Sequence, residues 1–332
     1  MSGRTLLGLL ALVVLGLLAW ELRWVLLVLF GAVVLAVALD VPVSWLRRFT
    51  KLNRPTALVV VVALLLVGGW KLGELLLPEL LEQAHQLTLL VPVLIQRVSE
   101  LLGGVAMLKS LEQQLMGFAT WDKLQPLGAQ VLGFAGGAAN GTIQLLLMVL
   151  LALLLALDPR SHQRLVLATT PNHVRPLAAE LLRDCREALG GWLAGMTISA
   201  TAVFLFTWAG LAALKVPLAL LSALACGLLT FVPTIGPTVA TLLPLAVALL
   251  VSPALALQVL ILRLVLQNGE AFLLTPILLS RTVNLLPTVA LMAQLSLGAL
   301  LGLPGVLLAL PLVVVLQVLA QKVLVEQIMD RW

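Results

Sequence analysis

TLLGLLALVVLGLLAW at residues 5–20 and, three residues further on, WVLLVLFGAVVLAVAL at 24–39 are apolar runs of 16 residues each, with no charge inside either. Neither alternates polar with apolar at the two-residue period of a barrel strand, so both read as lipid-facing helices. In hydrocarbon every backbone N–H and C=O needs a partner within the protein, and a helix supplies all of them inside one segment. The same texture continues along the chain. Of 332 residues, 61% are hydrophobic and 11% charged, with a mean hydropathy of +1.14. A soluble domain carries about 25% charged residues. The expected fold is an all-α, polytopic transmembrane helical bundle.

Residues 5–20 follow Arg4 like a signal peptide, but no small-residue cleavage site follows cleanly, so they read as a retained span. Glu21 and Arg23 then mark a tight turn into the second span. PVSWLRRFTKLNRP at 42–55 carries Arg47, Arg48, Lys51 and Arg54 and no acid, which puts it and the N-terminus in the cytoplasm. A third span at 56–77 completes a first unit, residues 1–77. Residues 78–138 are acidic on balance, and Pro78, Pro92 and Pro126 interrupt them. Val105, Leu108, Leu111, Leu115 and Phe118 recur at helical spacing. This segment reads as an extracytoplasmic amphipathic helical insert.

Residues 139–332 form the remaining transmembrane core. Spans are expected at 141–157, 193–214 and 254–275, with a weakly basic cytoplasmic loop after Asp158. Two runs, 218–232 and 237–251, are joined by Pro233-Thr234-Ile235-Gly236-Pro237. Each makes about 22 Å of helix against a hydrocarbon core of about 30 Å, so they are either short spans or a re-entrant hairpin. Runs 286–301 and 305–321 meet at Gly302-Leu303-Pro304-Gly305 before a cytoplasmic C-terminus. The total is eight complete spans plus one hairpin, or ten spans of mixed length.

The net charge of +5 and pI near 9.8 do not indicate nucleic acid, because the basic residues sit in short loops where membrane orientation requires them. Cys185 and Cys226 lie far apart, and His85, His162 and His173 show no ligand spacing, so neither a disulfide framework, a metal site nor a cofactor is expected. The chain holds no nucleophile–base pattern, phosphate loop or HExxH, and no enzymatic activity is expected.

The most informative stretch is Arg263-Leu-Val-Leu-Gln267-Asn268-Gly269-Glu270. On a helix Gln267 lies about 40° to one side of Arg263 and Glu270 about 20° to the other, so the three share one stripe. Charge at membrane depth costs about 2.5–3.5 kcal/mol even on a lenient scale, so the stripe should face protein or water. Arg263 and Glu270 stand about 10 Å apart along the axis and need an intermediary. The stripe is either a clamp that orients helices or the lining of a solute or proton path, with Asn268 a further candidate. At Pro233–Pro237 two prolines and a glycine must break helical bonding, and unwound backbone at depth survives only in protein or beside a watery cavity.

The carboxyl-terminal half resembles the autoinducer-2 exporter family of bacterial permease-like proteins. The resemblance rests on VPTIGP at 232–237, on LQNGEAFLLTP at 266–276, and on LLGLPG at 300–305 with a later proline. Pro233, Gly236, Pro237, Glu270, Pro276, Arg281, Pro287, Gly302, Gly305 and Pro311 fall on that pattern in order over residues 180–320. The resemblance implies eight spans, a homo-oligomer in the inner membrane with a pentamer among the options, and secondary export of a small solute. Autoinducer-2 is the leading candidate, and sodium/proton antiport the alternative. Thr234 in the turn and Arg281 beyond Pro276 join the candidate site residues; Pro276, Pro287, Gly302, Gly305 and Pro311 are candidate hinge or packing positions. Arg263 stands where the family usually carries an apolar or aromatic residue, and a pairing with Glu270 would mute a proton or cation role. A non-transporting membrane scaffold, with the outer insert binding a partner, is the reading from another class.

Overall fold

The computed structural model describes residues 14, 16–18, 20–101, 138–232, 235–274 and 286–323. Most of the expected first span, and residues 102–137 of the insert, lie outside the described residues. Helix α1 is Arg23–Phe49. It runs through Pro42, so most of the basic segment expected as a loop is its last turns. In lipid, losing one proline N–H costs less than unwinding a turn and orphaning several groups. The tight turn expected at Glu21–Arg23 is not a loop. Helical bonds flank it, from Leu22 N–H to the Leu18 carbonyl and from Leu26 N–H to the Leu22 carbonyl.

Helix α2, Arg54–Leu101, continues unbroken through Pro78 and Pro92. This corrects the expectation that prolines end the third span at residue 77. The extension has a packing reason: Gln83 Oε1 accepts the Leu221 N–H at 2.8 Å, and Leu87 and Leu90 pack against Leu211, Leu218 and Val247. Helices α3, Ala138–Leu157, and α4, Pro159–Thr169, meet at a bend of 90°. Asp158 forms the corner, its carboxylate accepting from Ser161 N–H at 3.2 Å and Ser161 O–H at 2.5 Å. Those Ser161 hydrogen bonds hold the carboxyl below its ordinary range. Since the folded value is lowered, the cap is intact above the ordinary carboxyl range and is lost as pH falls through the lowered value. Asp158→Ala should therefore lower the hydrogen-exchange protection factor of the Ser161 amide near neutral pH, and acid should do the same to the unmodified protein once intrinsic exchange is divided out; an unchanged protection factor in the variant would show that the corner holds without its cap.

Helix α5 is Arg175–Ala213, so much of the loop expected after Asp158 is its first turns. Then come α6, Ala219–Leu229, α7, Ile235–Val251, and α8, Pro253–Gly269, which passes into a π-helical turn at Glu270–Leu274. Helix α9 is Pro287–Leu319.

Helices α6 and α7 are a hairpin, since their contacts pair residues equidistant from residue 233. Cys226 S–H donates to the Ala240 carbonyl at 3.4 Å, and a Cβ added at Gly236 would strike the Leu229 carbonyl. Helix α9 contains a second reversal. Gly302 has φ 65° and ψ −149°, a conformation open to glycine and strained for other residues. Past it, Gly305 comes against Leu297 and Gly298 against Val306, while Ala290, Leu310 and Val314 join one cluster with Trp192 and Met196. The two runs expected on either side of residue 302 are the arms of this hairpin.

By length and apolarity five helices of the described residues could cross a membrane, or six with the bent α3–α4 pair as one span, but one of the five is α9, which folds back at Gly302. The eight spans expected are not reached among them. The first span lies largely outside the description, and two pairs of short runs fold as hairpins.

The amino-terminal helices pack through small residues, Ala32, Ala36, Ala57, Ala152 and Ala156, which let backbones approach closely. The basic segments join at one end of the bundle. Asp40 of α1 binds both Arg54 and Arg186, and Arg54 Nε–H donates to the Ala156 carbonyl at 2.9 Å.

Candidate substrate site at mid-membrane

Helix α5 is the ruler for the site. Between Glu187 and Lys215 it carries no charged residue, and its buried positions Trp192, Met196, Ser199, Val203, Thr207 and Leu211 form one face at steps of three and four. Ser199 lies about 20 Å along the axis from Arg186 and about 24 Å from Lys215, near the middle of the hydrocarbon layer. The first hairpin runs antiparallel along this face. Leu218 packs with Leu211, Cys226 with Val203, and Phe231 at the tip reaches Trp192 and Met196. The second hairpin meets the same two side chains through Ala290 and Leu310. Both hairpins therefore converge at the depth of Met196 and Ser199.

Helix α8 also runs antiparallel to α5, and its polar stripe faces inward. Ser199 O–H donates to Glu270 Oε1 at 2.5 Å. Two turns further out, Arg263 Nη1–H donates to Thr207 Oγ1 at 3.0 Å and Arg263 Nε–H to Thr241 Oγ1 at 3.2 Å. Gln267 sits between them and donates to the Pro237 carbonyl at 2.9 Å and to Thr241 Oγ1 at 3.1 Å. Thr241 O–H closes the network on the Pro237 carbonyl at 2.8 Å. Arg263, Gln267 and Glu270 share one inward stripe, as their spacing requires. Arg263 and Glu270 do not pair with each other: along α5 their partners are eight residues, about 12 Å, apart.

Arg263 is 2% exposed, and among the described residues its partners are hydroxyls rather than a carboxylate. It clamps α8 to α5 and to the first hairpin. Glu270 occupies the turn where α-helical bonding gives way to π, a local defect that frequently marks functional positions. Asn268 does not join the network. It is exposed and donates to the carbonyl of Leu264 on its own helix at 2.7 Å. Gly236 and Pro237 lie in the hairpin tip, Gly302, Gly305 and Pro311 in the second hairpin, and Pro287 starts it. Pro233, Thr234, Pro276 and Arg281 lie outside the described residues.

Three polar residues of the network, Ser199, Thr207 and Thr241, went unmarked in the sequence, and so did the buried Gln294, one turn along the second hairpin from Ala290. Gln294 is 3% exposed in the first arm of the second hairpin, and among the described residues neither its amide oxygen nor its nitrogen has a partner. An orphaned amide at this depth has no structural compensation and fits a polar ligand. Gln294 could have been found as the lone amide in LMAQLSL at 291–297; the hydroxyl residues give no such signal, because serine and threonine bond their own helix as readily. Among the described residues no three His, Cys, Asp or Glu side chains come together, and both cysteines are free thiols.

Residues 9–324 match the family model described as AI-2E family transporter. The chain belongs to the AI-2E transporter family. AI-2E relatives include "Putative transport protein sll0063" of Synechocystis, 28% identical over 86% of this chain and 74% of that protein. "Putative transport protein MT0215" of Mycobacterium tuberculosis is 30% identical over 85% and 78%. "Putative transport protein YrrI" of Bacillus subtilis is 28% identical over 45% of this chain, and that match spans 42% of YrrI. The protein is a multi-pass helical membrane transporter.

Proposed function

We propose that this AI-2E transporter is a secondary exporter of a small polar solute, with autoinducer-2 the first candidate, and that Glu270 is its coupling and solute-binding carboxylate. One observation carries the reading: Glu270 lies near mid-membrane, held by a neutral serine hydroxyl beside the tip of the first helical hairpin, at the level where the arms of the second also reach α5. A carboxylate at that depth is costly and functional by default, and broken helices there expose backbone groups able to hold a ligand. Glu270 and the orphaned Gln294 amide offer the acceptors and donors that a hydroxyl-rich solute needs. In this reading the protein works without enzymatic activity in the bacterial inner membrane as a homo-oligomer, residues 47–54 facing the cytoplasm.

Glu270→Gln keeps the size and the Ser199 bond but removes the charge. In proteoliposomes loaded with autoinducer-2 it should slow efflux about 10-fold or more, the worth of one charge-assisted hydrogen bond, with thermal unfolding unchanged. Efflux equal to that of the unmodified protein would remove Glu270 from the mechanism.

A sodium/proton antiporter is the second reading, favoured by the absence of an Arg263–Glu270 pair, which leaves the carboxylate free to alternate between proton and cation. Sodium-dependent proton movement in dye-loaded vesicles, lost in Glu270→Gln, supports it; a silent dye with active efflux rejects it.

A further inference from the structure

We propose that the basic end of the bundle holds one anionic phospholipid of the cytoplasmic leaflet, its headgroup among arginines under α4 and an acyl chain in the cleft beside them. Two cavities adjoin there, of about 680 and 470 Å³, both within the usual range for ligand sites. Val37, Asp40, Gln163, Leu182 and Arg186 line both, so they are two ends of one space.

The larger end is the more polar of the two. Together the two are lined by four guanidinium groups, Arg48, Arg54, Arg183 and Arg186, against two carboxylates, Asp40 and Glu187. Asp40 already serves both Arg54 and Arg186, and Arg183 bonds Asp184 at 3.2 Å. The Asp40 triad keeps one positive charge in excess, and Arg48 is exposed at the rim. The smaller end is walled by Phe30, Val33, Leu155, Leu189, Val315 and Leu319. A free phosphate or sugar phosphate would satisfy the arginines and leave that apolar cleft empty; a phospholipid fills both ends.

The depth is also that of headgroups. Helix α4 turns 90° from α3 and exposes Leu165 and Val166, as an amphipathic helix lying in the interface does. Trp45, 62% exposed, stands at the cavity rim, where aromatic belts form. Basic pockets between helices on the cytoplasmic side attract anionic headgroups. A lipid here would bridge α1, α4, α5 and α9; Asp40 already ties α1 to α5, Arg175 ties α5 to the end of α4, and Lys322 pairs with Glu180 and Asp184 of α5.

The test uses the full chain, delipidated in neutral detergent and titrated with phosphatidylglycerol, with phosphatidylcholine of the same chains, and with glycerol phosphate. Retained lipid is read by native mass spectrometry and stability by thermal unfolding. Phosphatidylglycerol alone should be retained and raise Tm. Arg48→Ala with Arg183→Ala should weaken its binding roughly 30-fold, about fivefold per basic residue. Val33→Trp, which fills the apolar end, should weaken it while every arginine stays, and Arg48→Lys with Arg183→Lys should restore most of it. Equal effects from phosphatidylcholine, a full effect from glycerol phosphate, or phosphatidylglycerol preference surviving the alanine pair would each overturn the proposal. So would a lipid-independent change of oligomeric state in the alanine pair, which would assign the cleft to a second copy of the chain.

Discussion

Gly236→Val is expected to abolish the folded transporter. A Cβ at Gly236 would overlap the Leu229 carbonyl oxygen and carbon, and Val232 Cβ stands 3.4 Å away. The obstacle is backbone held by the hairpin's own bonds, Val232 N–H to the Leu229 carbonyl at 3.0 Å and Gly236 N–H to the Val232 carbonyl at 2.8 Å. It cannot rotate aside as a side chain could. Relief requires opening the α6–α7 hairpin, which would break the Cys226–Ala240 contact and carry the Thr241–Gln267–Arg263 network with it. Overpacking against flexible neighbours costs about 1–3 kcal/mol, and a rigid wall costs more. Detergent-extracted Gly236→Val should aggregate on size exclusion, and Gly236→Ala should show a markedly lower Tm. Gly69→Val is the control: among the described residues nothing beyond its own turn of helix lies within 4 Å of a Cβ there, and the position should tolerate it. If Gly236→Ala melts with the unmodified protein, the hairpin tip is looser than described.

The second large effect is conditional on a partner. Thr241→Val is nearly isosteric, yet it removes the oxygen that accepts from both Arg263 and Gln267. Among the described residues Arg263 then keeps Thr207 alone, at 2% exposure. Losing one hydrogen bond to a buried charged group costs about 1.5–3 kcal/mol. Replacing the charge itself by an apolar side chain of similar reach is often neutral or stabilising. Arg263→Leu in the Thr241→Val background should therefore recover most of the lost stability, so that the double variant melts above the single one. A double variant no better than Thr241→Val would falsify the clamp role for Arg263. The same pair informs mechanism. As a clamp about 12 Å from the carboxylate, Arg263→Leu alone should leave Glu270-dependent transport in place, as a helix fastener should and a charge partner of Glu270 should not.

Much of this architecture could be read along the chain. Uninterrupted apolar runs required helices, the charge-poor composition required lipid, and Arg263, Gln267 and Glu270 announced an inward stripe because no lipid-facing side could carry them. Prolines misled twice. Pro78 and Pro92 looked like breaks and proved to be interior, since in hydrocarbon the unwound alternative orphans more groups than the proline does. Arg263 and Glu270 looked like partners because one-dimensional spacing reports a shared face and cannot report which neighbouring helix fills the gap.

What the residue order determined by itself was the solvent, the element type and the inward stripe, because those follow from local hydrophobicity and the helical period. Tertiary structure alone decided that two pairs of short runs fold back as hairpins, that Ser199 rather than Arg263 holds Glu270, and that Gln294 is buried with no partner among the described residues. The physical reason is that a hydroxyl or an amide acquires its role only from what stands opposite it. In this fold the opposing groups come from segments as far apart in sequence as Ser199 and Glu270, and only packing brings them within hydrogen-bond reach.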